Sequence, residues 1–177
     1  MEEYDHLFKI IIVGGAFVGK SSLMDRFVYD SFGEEYNRTL GVEFGITYRK
    51  MFGLLIKLQI WDPEASRTLQ IKGFYRMPHG AIILYDATSP INQSVKMVKD
   101  CLTEIDRFTI PEKREILIIA NKCDEMHNED RENAIQELAK EHGLIYMHTS
   151  AKNSYNIEES FAALIHGILL KINKTRT

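Results

Sequence analysis

The chain has 177 residues and a mass of 20.5 kDa, is 45% hydrophobic, and sets 22 Lys and Arg against 25 Asp and Glu for a net charge of −3. That size fits one domain over 1–177, and the apolar content supports a packed core, which excludes a disordered or low-complexity chain. So mild an acidity excludes nucleic acid as the default partner, because binding a phosphate backbone draws on a concentrated basic face.

In chain order, Leu7 to Val13 predicts a buried strand, with Ile10, Ile11, Ile12 and Val13 continuous and apolar. A Gly-rich turn follows, and Ser22 to Tyr29 continues as a helix. Val42 to Tyr48 and Leu54 to Trp61 predict two strands joined by a turn around Met51, Phe52 and Gly53, too short for anything but an antiparallel hairpin. In the second of these, Leu54, Ile56, Leu58 and Ile60 share one face, while Leu55, Lys57, Gln59 and Trp61 share the other. Gly80 to Tyr85 and Ile116 to Ala120 read as further strands buried on both faces.

Ser89 followed by Pro90 predicts an N-cap with proline at the first helical position, and Val95, Val98, Leu102 and Ile105 then form an inward face. Ala134, Ile135, Leu138, Ala139 and His142 form a second stripe, stopped by Gly143 in a left-handed turn. Leu144 to Met147 is a sixth strand. Asn156 with Glu159 predicts a capping box, opening a helix that turns Ile157, Phe161, Leu164, Ile165, Ile168 and Ile172 inward. The alternation of strand and helix gives an α/β fold, a mixed sheet with helices on both faces.

Two cysteines, Cys101 and Cys123, make neither a disulfide framework nor a metal knuckle and fit a reducing, cytoplasmic compartment. No apolar run approaches the roughly 18 residues of a membrane span. The start, Met1-Glu2-Glu3-Tyr4, has neither the basic, apolar plan of a signal peptide nor the glycine of a myristoylation site.

Three motifs carry chemistry. Gly14-Gly15-Ala16-Phe17-Val18-Gly19-Lys20-Ser21 matches G-x-x-x-x-G-K-[ST] between a strand and a helix. The glycines let successive amides face a phosphate at the positive end of the helix that Ser22 continues. Lys20 reaches the β- and γ-phosphates, and the Ser21 hydroxyl ligates Mg²⁺. Asn121-Lys122-Cys123-Asp124 and Ser150-Ala151-Lys152 each follow a strand, where ligands gather in open α/β sheets. Asp124 can accept hydrogen bonds from N1–H and the 2-amino group of guanine, donors that adenine lacks, a difference that discriminates by roughly 10⁴-fold. Asn121 can bond the base's other edge, the Lys122 stem can lie on its face, and the Ala151 amide can meet O6. A P-loop kinase or ATPase is disfavoured by this pair of motifs.

On these residues the chain resembles a Ras-superfamily small GTPase, and within it the Rab branch. Stretches that carry the likeness include Arg38-Thr-Leu-Gly-Val-Glu-Phe44, Leu58-Gln-Ile-Trp-Asp62, His79-Gly-Ala-Ile-Ile-Leu-Tyr-Asp86 and Thr149-Ser-Ala-Lys-Asn153. The resemblance implies a P-loop small G domain with a six-stranded, mostly parallel sheet, binding GTP or GDP with Mg²⁺. It implies that Thr39 joins Ser21 on the metal, that Asp62 holds the metal through water, that Phe32 packs on guanine, and that Tyr36 folds over the γ-phosphate. It also pairs Trp61 with Phe44 and Phe74 as an aromatic patch for effector and exchange-factor proteins in membrane traffic. Rabs usually end in prenylated cysteines; this sequence ends Lys171-Ile-Asn-Lys-Thr-Arg-Thr177 without one, so membrane attachment is expected only through a lipidated tail outside it.

The likeness breaks after Asp62. The family's Asp-Thr-Ala-Gly-Gln is here Asp62-Pro63-Glu64-Ala65-Ser66, with Ala65 in the position of the glycine that contacts the γ-phosphate and Ser66 in that of the water-positioning glutamine. Ser66 is too short to replace glutamine, so intrinsic GTP hydrolysis is expected weak or absent. The alternative is a fully cycling GTPase whose missing groups an activating protein supplies. Arg38 and Arg67 read as solvated or partner-facing rather than as internal arginine fingers. Phe17 stands where a left-handed residue is costly for anything but glycine.

Overall fold

A computed structural model of the chain describes residues 3–33, 42–63, 78–125 and 130–174. Its strands are β1 (His6–Gly14), β2 (Val42–Met51), β3 (Leu54–Pro63), β4 (Gly80–Asp86), β5 (Glu115–Asn121) and β6 (Ile145–His148). The helices are α1 (Lys20–Tyr29), α2 (Ile91–Phe108), α3 (Asp130–Glu141) and α4 (Ile157–Lys174). One six-stranded sheet runs β2-β3-β1-β4-β5-β6, antiparallel between β2 and β3 and parallel elsewhere, as the sequence predicts.

Side-chain alternation on the central strands divides the core in two. Ile10 and Ile12 of β1 pack with Leu23 and Phe27 of α1 and with Phe161 and Leu164 of α4. Ile11 and Val13 face the other way, toward Val98, Leu102 and Ile105 of α2 and Ile135 and Leu138 of α3. Helices cover both faces, so β1, β4 and β5 read as unbroken apolar runs instead of alternating ones. Among the described residues no helix is long and apolar enough to cross a membrane.

The β2–β3 turn is tighter than predicted. Met51 pairs with Leu54 in the ladder, leaving Phe52 and Gly53 as a two-residue loop with φ of 54° and 78°. Positive φ at both positions is the I′ geometry that matches strand twist. Three helix-end expectations are corrected. Pro90, at φ −55° and ψ 131°, is itself the N-cap of α2, and Ser94 N–H bonds its carbonyl at 3.1 Å; Ser89 instead closes a turn onto the Asp86 carbonyl. Asn156 has φ 56°, and a capping box needs an extended N-cap residue to aim its side chain at the helix amides. Ala134 of α3 and His142 just past its end are exposed; among the described residues the buried stripe is Ile135, Leu138 and Ala139. Gly143 does stop that helix: at φ 63° it returns its N–H to Lys140 and passes that of Leu144 to Ala139.

Where β1 meets β4, the His79 ring Nδ1 accepts the Lys9 amide N–H at 3.0 Å, which requires that nitrogen unprotonated. Burial first, then the nearby His6 and Lys9, holds the His79 pKa below its ordinary value. A lowered folded pKa means the unfolded chain takes up the proton first, so this contribution to stability is whole at neutral pH and is lost as pH falls through the unfolded imidazole range. The melting temperature is expected to fall between about pH 7 and about pH 5, more steeply in the wild type than in His79→Asn, whose side-chain oxygen can still accept from Lys9. Parallel slopes for the two proteins would refute the assignment.

Candidate functional site

Every described motif lies at the carboxyl ends of the parallel strands, the rim on which open α/β sheets bind ligands. The loop after β1 starts with Gly14 at φ 153°, where a Cβ would stand 2.2 Å from the Leu84 carbonyl oxygen. It ends with Gly19 at φ 93°, where a Cβ would meet the Asn121 amide nitrogen at 2.5 Å. Neither position can carry a side chain. Between them Gly15, Ala16 and Val18 continue the turn, and Phe17 holds φ 65° and is 63% exposed. A left-handed phenylalanine costs about 1–2 kcal/mol, strain of the kind kept at ligand loops.

Helix α1 starts with no acidic residue in its first turn and with a glycine as its cap, so its amide end keeps its positive potential. Lys20 is buried, its ammonium donating to the Gly15 carbonyl at 2.8 Å; burial lowers its pKa, against the pull of Asp62. Ser21 Oγ donates to Asp62 Oδ2 at 2.6 Å, bringing together two of the three residues expected on the metal. Asp62 is fully buried, and its Oδ1 has no hydrogen-bond partner among the described residues. Burial pushes its carboxyl up to about 6, against the Ser21 hydrogen bond and the Lys20 charge. A hydroxyl beside a carboxylate with one unpartnered oxygen fits Mg²⁺, a hard cation that takes few protein ligands and completes its shell with phosphate oxygens and water.

Asn121, 1% exposed, ties the phosphate loop to the base loops. Its Nδ2 donates to the Val18 carbonyl at 2.9 Å; its Oδ1 accepts from Thr149 Oγ1 and from the Ala151 amide, both at 3.2 Å. The sequence reading gave this side chain to the base edge and the Ala151 amide to O6. In the structure the two bond each other, and Asn121, at the end of β5, is a crosspiece between the loop after β1 and the loop after β6. Lys122 has φ 63°, and its ammonium bridges the Phe17 carbonyl at 2.9 Å and Asp86 Oδ2 at 2.6 Å. Burial raises the Asp86 pKa, but the hydrogen bonds from Lys122 and Thr88 outweigh it and hold the carboxyl below its usual range.

Asp124 is exposed on the short turn Cys123–Glu125. With the buried Ser150 it lines an open cleft of about 660 Å³, also bordered by Tyr155 and Glu159. Ser22, Lys152 and the half-buried Phe32 complete the described part of the predicted set. Tyr36, Thr39, Ala65 and Phe74, with Arg38, Glu64, Ser66 and Arg67, lie outside the described residues.

A profile of the Ras family matches residues 9–170. The chain belongs to the Ras family. Among its relatives, GTP-binding protein YPTM1 of Zea mays is 41% identical over 166 residues, 92% of this chain and 78% of that protein. Ras-related protein RIC1 of Oryza sativa subsp. japonica is 42% identical, covering 92% and 80%. Ras-related protein RABD2c of Arabidopsis thaliana is 42% identical over 171 residues, covering 94% and 82%. This is a Rab-like small GTPase, as the motifs imply.

Sequence reasoning missed one residue of this Ras-family site. Arg26 of α1 bonds the Ala151 carbonyl, a contact across 125 residues that no local pattern announces. A second cluster lies on the β2–β3 hairpin, where Phe44, 40% exposed, packs on the half-buried Trp61 at 4.4 Å between ring centroids, and Lys9 Nζ stands 5.4 Å from the Trp61 ring.

Proposed function

We propose that this Rab-like protein is a guanine-nucleotide switch, or binding module, in membrane traffic, binding GTP and GDP with Mg²⁺ and hydrolysing GTP weakly or not at all. The observation that carries the nucleotide reading is the Asn121 carboxamide, which fixes the phosphate loop and the Ser150–Lys152 loop to one another as two parts of one cradle. The relatives' names, GTP-binding and Ras-related, support it.

In this reading the amides from Gly14 to Ser22 and the Lys20 ammonium receive the phosphates, Asp124 accepts from the guanine N1–H and 2-amino group, and the Lys122 stem and the Phe32 ring sandwich the base. Ser21, Asp62 and Thr39 hold Mg²⁺, which when bound neutralises charge on the β- and γ-phosphate oxygens. The Phe44–Trp61 pair, with Phe74, offers effectors and exchange factors an aromatic anchor.

Calorimetric titration of the nucleotide-free protein with GDP, GTP, ADP and ATP in Mg²⁺ tests the reading. Guanine nucleotides are expected to bind roughly 10³-fold tighter or more than adenine nucleotides, because adenine leaves the Asp124 carboxylate without donors. Equal affinities would return the chain to the ATPase and kinase readings.

A further inference from the structure

Two walls of the proposed base pocket are the Ser150–Lys152 loop and the Phe32 ring, the latter set across the base from the Lys122 stem in that reading, and one side chain outside them contacts both. Arg26 projects from the last turn of α1 with a side chain only 16% exposed. Its Nε donates to the Ala151 carbonyl at 2.9 Å and its Nη2 to the Lys152 carbonyl at 3.3 Å. The remaining branch, Nη1, bonds Asp30 at both its carboxylate and its carbonyl, at 3.2 Å each. The guanidinium carbon lies 5.8 Å from the centroid of Phe32.

Two successive carbonyls on one planar fork fix more than a distance. The peptide joining Ala151 to Lys152 is flat and trans, so holding its carbonyl toward α1 turns the Lys152 N–H to the opposite edge. Charge-assisted bonds from a rigid guanidinium resist rotation of that plane better than neutral bonds or a flexible ammonium. The same cation attracts the face of the Phe32 ring, two residues beyond Asp30, which leaves the helix at φ 51°.

We propose that Arg26 is the positioning residue of the guanine pocket, setting the peptide plane that meets the O6 edge and holding Phe32 beside the base, so that the two walls are aligned as one. The inference rests on the guanine-nucleotide reading above and goes further by assigning base positioning to a side chain outside every nucleotide motif.

The test compares GDP with its 6-thio analogue, which keeps the N1–H and 2-amino donors offered to Asp124 but puts a weakly accepting sulfur at position 6. In the wild type the analogue is expected to dissociate about fivefold faster than GDP, the worth of one hydrogen bond. In Arg26→Ala, GDP dissociation is expected to accelerate about tenfold, with the two ligands then within about twofold of each other, since the edge contact no longer distinguishes them. Arg26→Lys, which keeps one donor and a charge over Phe32, is expected to recover part of the preference. Both rates come from one sample, so any unfolded fraction of a variant cancels from their ratio. A wild-type ratio retained in Arg26→Ala would overturn the inference even if dissociation were fast, leaving Arg26 a stabilising contact only. A wild type that binds GDP without preferring it to the analogue would overturn it too. A wild type that binds neither would instead overturn the guanine reading beneath it.

Discussion

An Asp124→Asn variant is expected to shift the ratio of xanthosine to guanosine diphosphate affinity by about a hundredfold or more in favour of xanthosine. The carboxylate accepts two hydrogen bonds, from N1–H and from the 2-amino group. Asparagine accepts one and donates one, which suits the xanthine edge, where an oxygen replaces the amino group and N1–H remains. The residue is well placed for so clean an exchange. Asp124 is exposed, and the turn that carries it is held by backbone bonds, Cys123 N–H to the Thr149 carbonyl at 3.1 Å and Glu125 N–H to the Lys122 carbonyl at 3.0 Å. Nothing in the core rests on its side chain, so stability should move by no more than about 0.5 kcal/mol. Competition of each diphosphate against one fluorescent nucleotide measures the ratio. Unchanged selectivity would remove Asp124 from the base and the guanine assignment with it.

Single-turnover hydrolysis of preloaded GTP in Mg²⁺ is expected to run at least about tenfold below the ~10⁻⁴ s⁻¹ scale of an intrinsic small-GTPase rate, with nucleotide still bound. The reason lies in side-chain reach. A glutamine amide can both accept from and donate to an attacking water held in line with the γ-phosphate, whereas the Ser66 hydroxyl ends two bonds short of where that amide would reach. Ala65 adds a Cβ where glycine would leave the chain free to swing toward the phosphate, and Pro63 removes an N–H. The combined substitution Ala65→Gly with Ser66→Gln is expected to restore a rate on the order of 10⁻⁴ s⁻¹, and Lys20→Ala supplies the control without phosphate grip. A native chain already at that rate would mean another group orders the water, with Ser66 and Glu64 first to be replaced. Acceleration only on adding an activating protein would favour the fully cycling enzyme.

The fold was legible where one local rule was enough. Ile10 to Val13 and Ile116 to Ala120 are continuous because both sheet faces are covered, and Gly143 stops α3 because few other residues take its backbone angle cheaply. Helix starts were less legible: at α2 the neighbours Ser89 and Pro90 both offer capping chemistry and Pro90 is the N-cap, while at α4 Asn156 takes a left-handed φ of 56° that its capping letters do not announce. The motifs nominate the candidate site's residues, but they do not announce its internal wiring. Asn121 reaches Val18 across 103 residues and Arg26 reaches Ala151 across 125, pairings that exist only once the sheet order has set β1 on the same rim as β5 and β6, with β4 and β5 between β1 and β6. The buried Asp62 Oδ1, without a hydrogen-bond partner among the described residues, is likewise something no run of letters around Leu58 to Asp62 expresses.

The Asn121 carboxamide has a consequence for descent. One side chain braces the loop after β1 and the loop after β6. In the nucleotide reading proposed above, a change at this position is therefore expected to be felt at the phosphates and at the base together, so that the choice of nucleotide and the firmness with which it is kept would be inherited as a single trait.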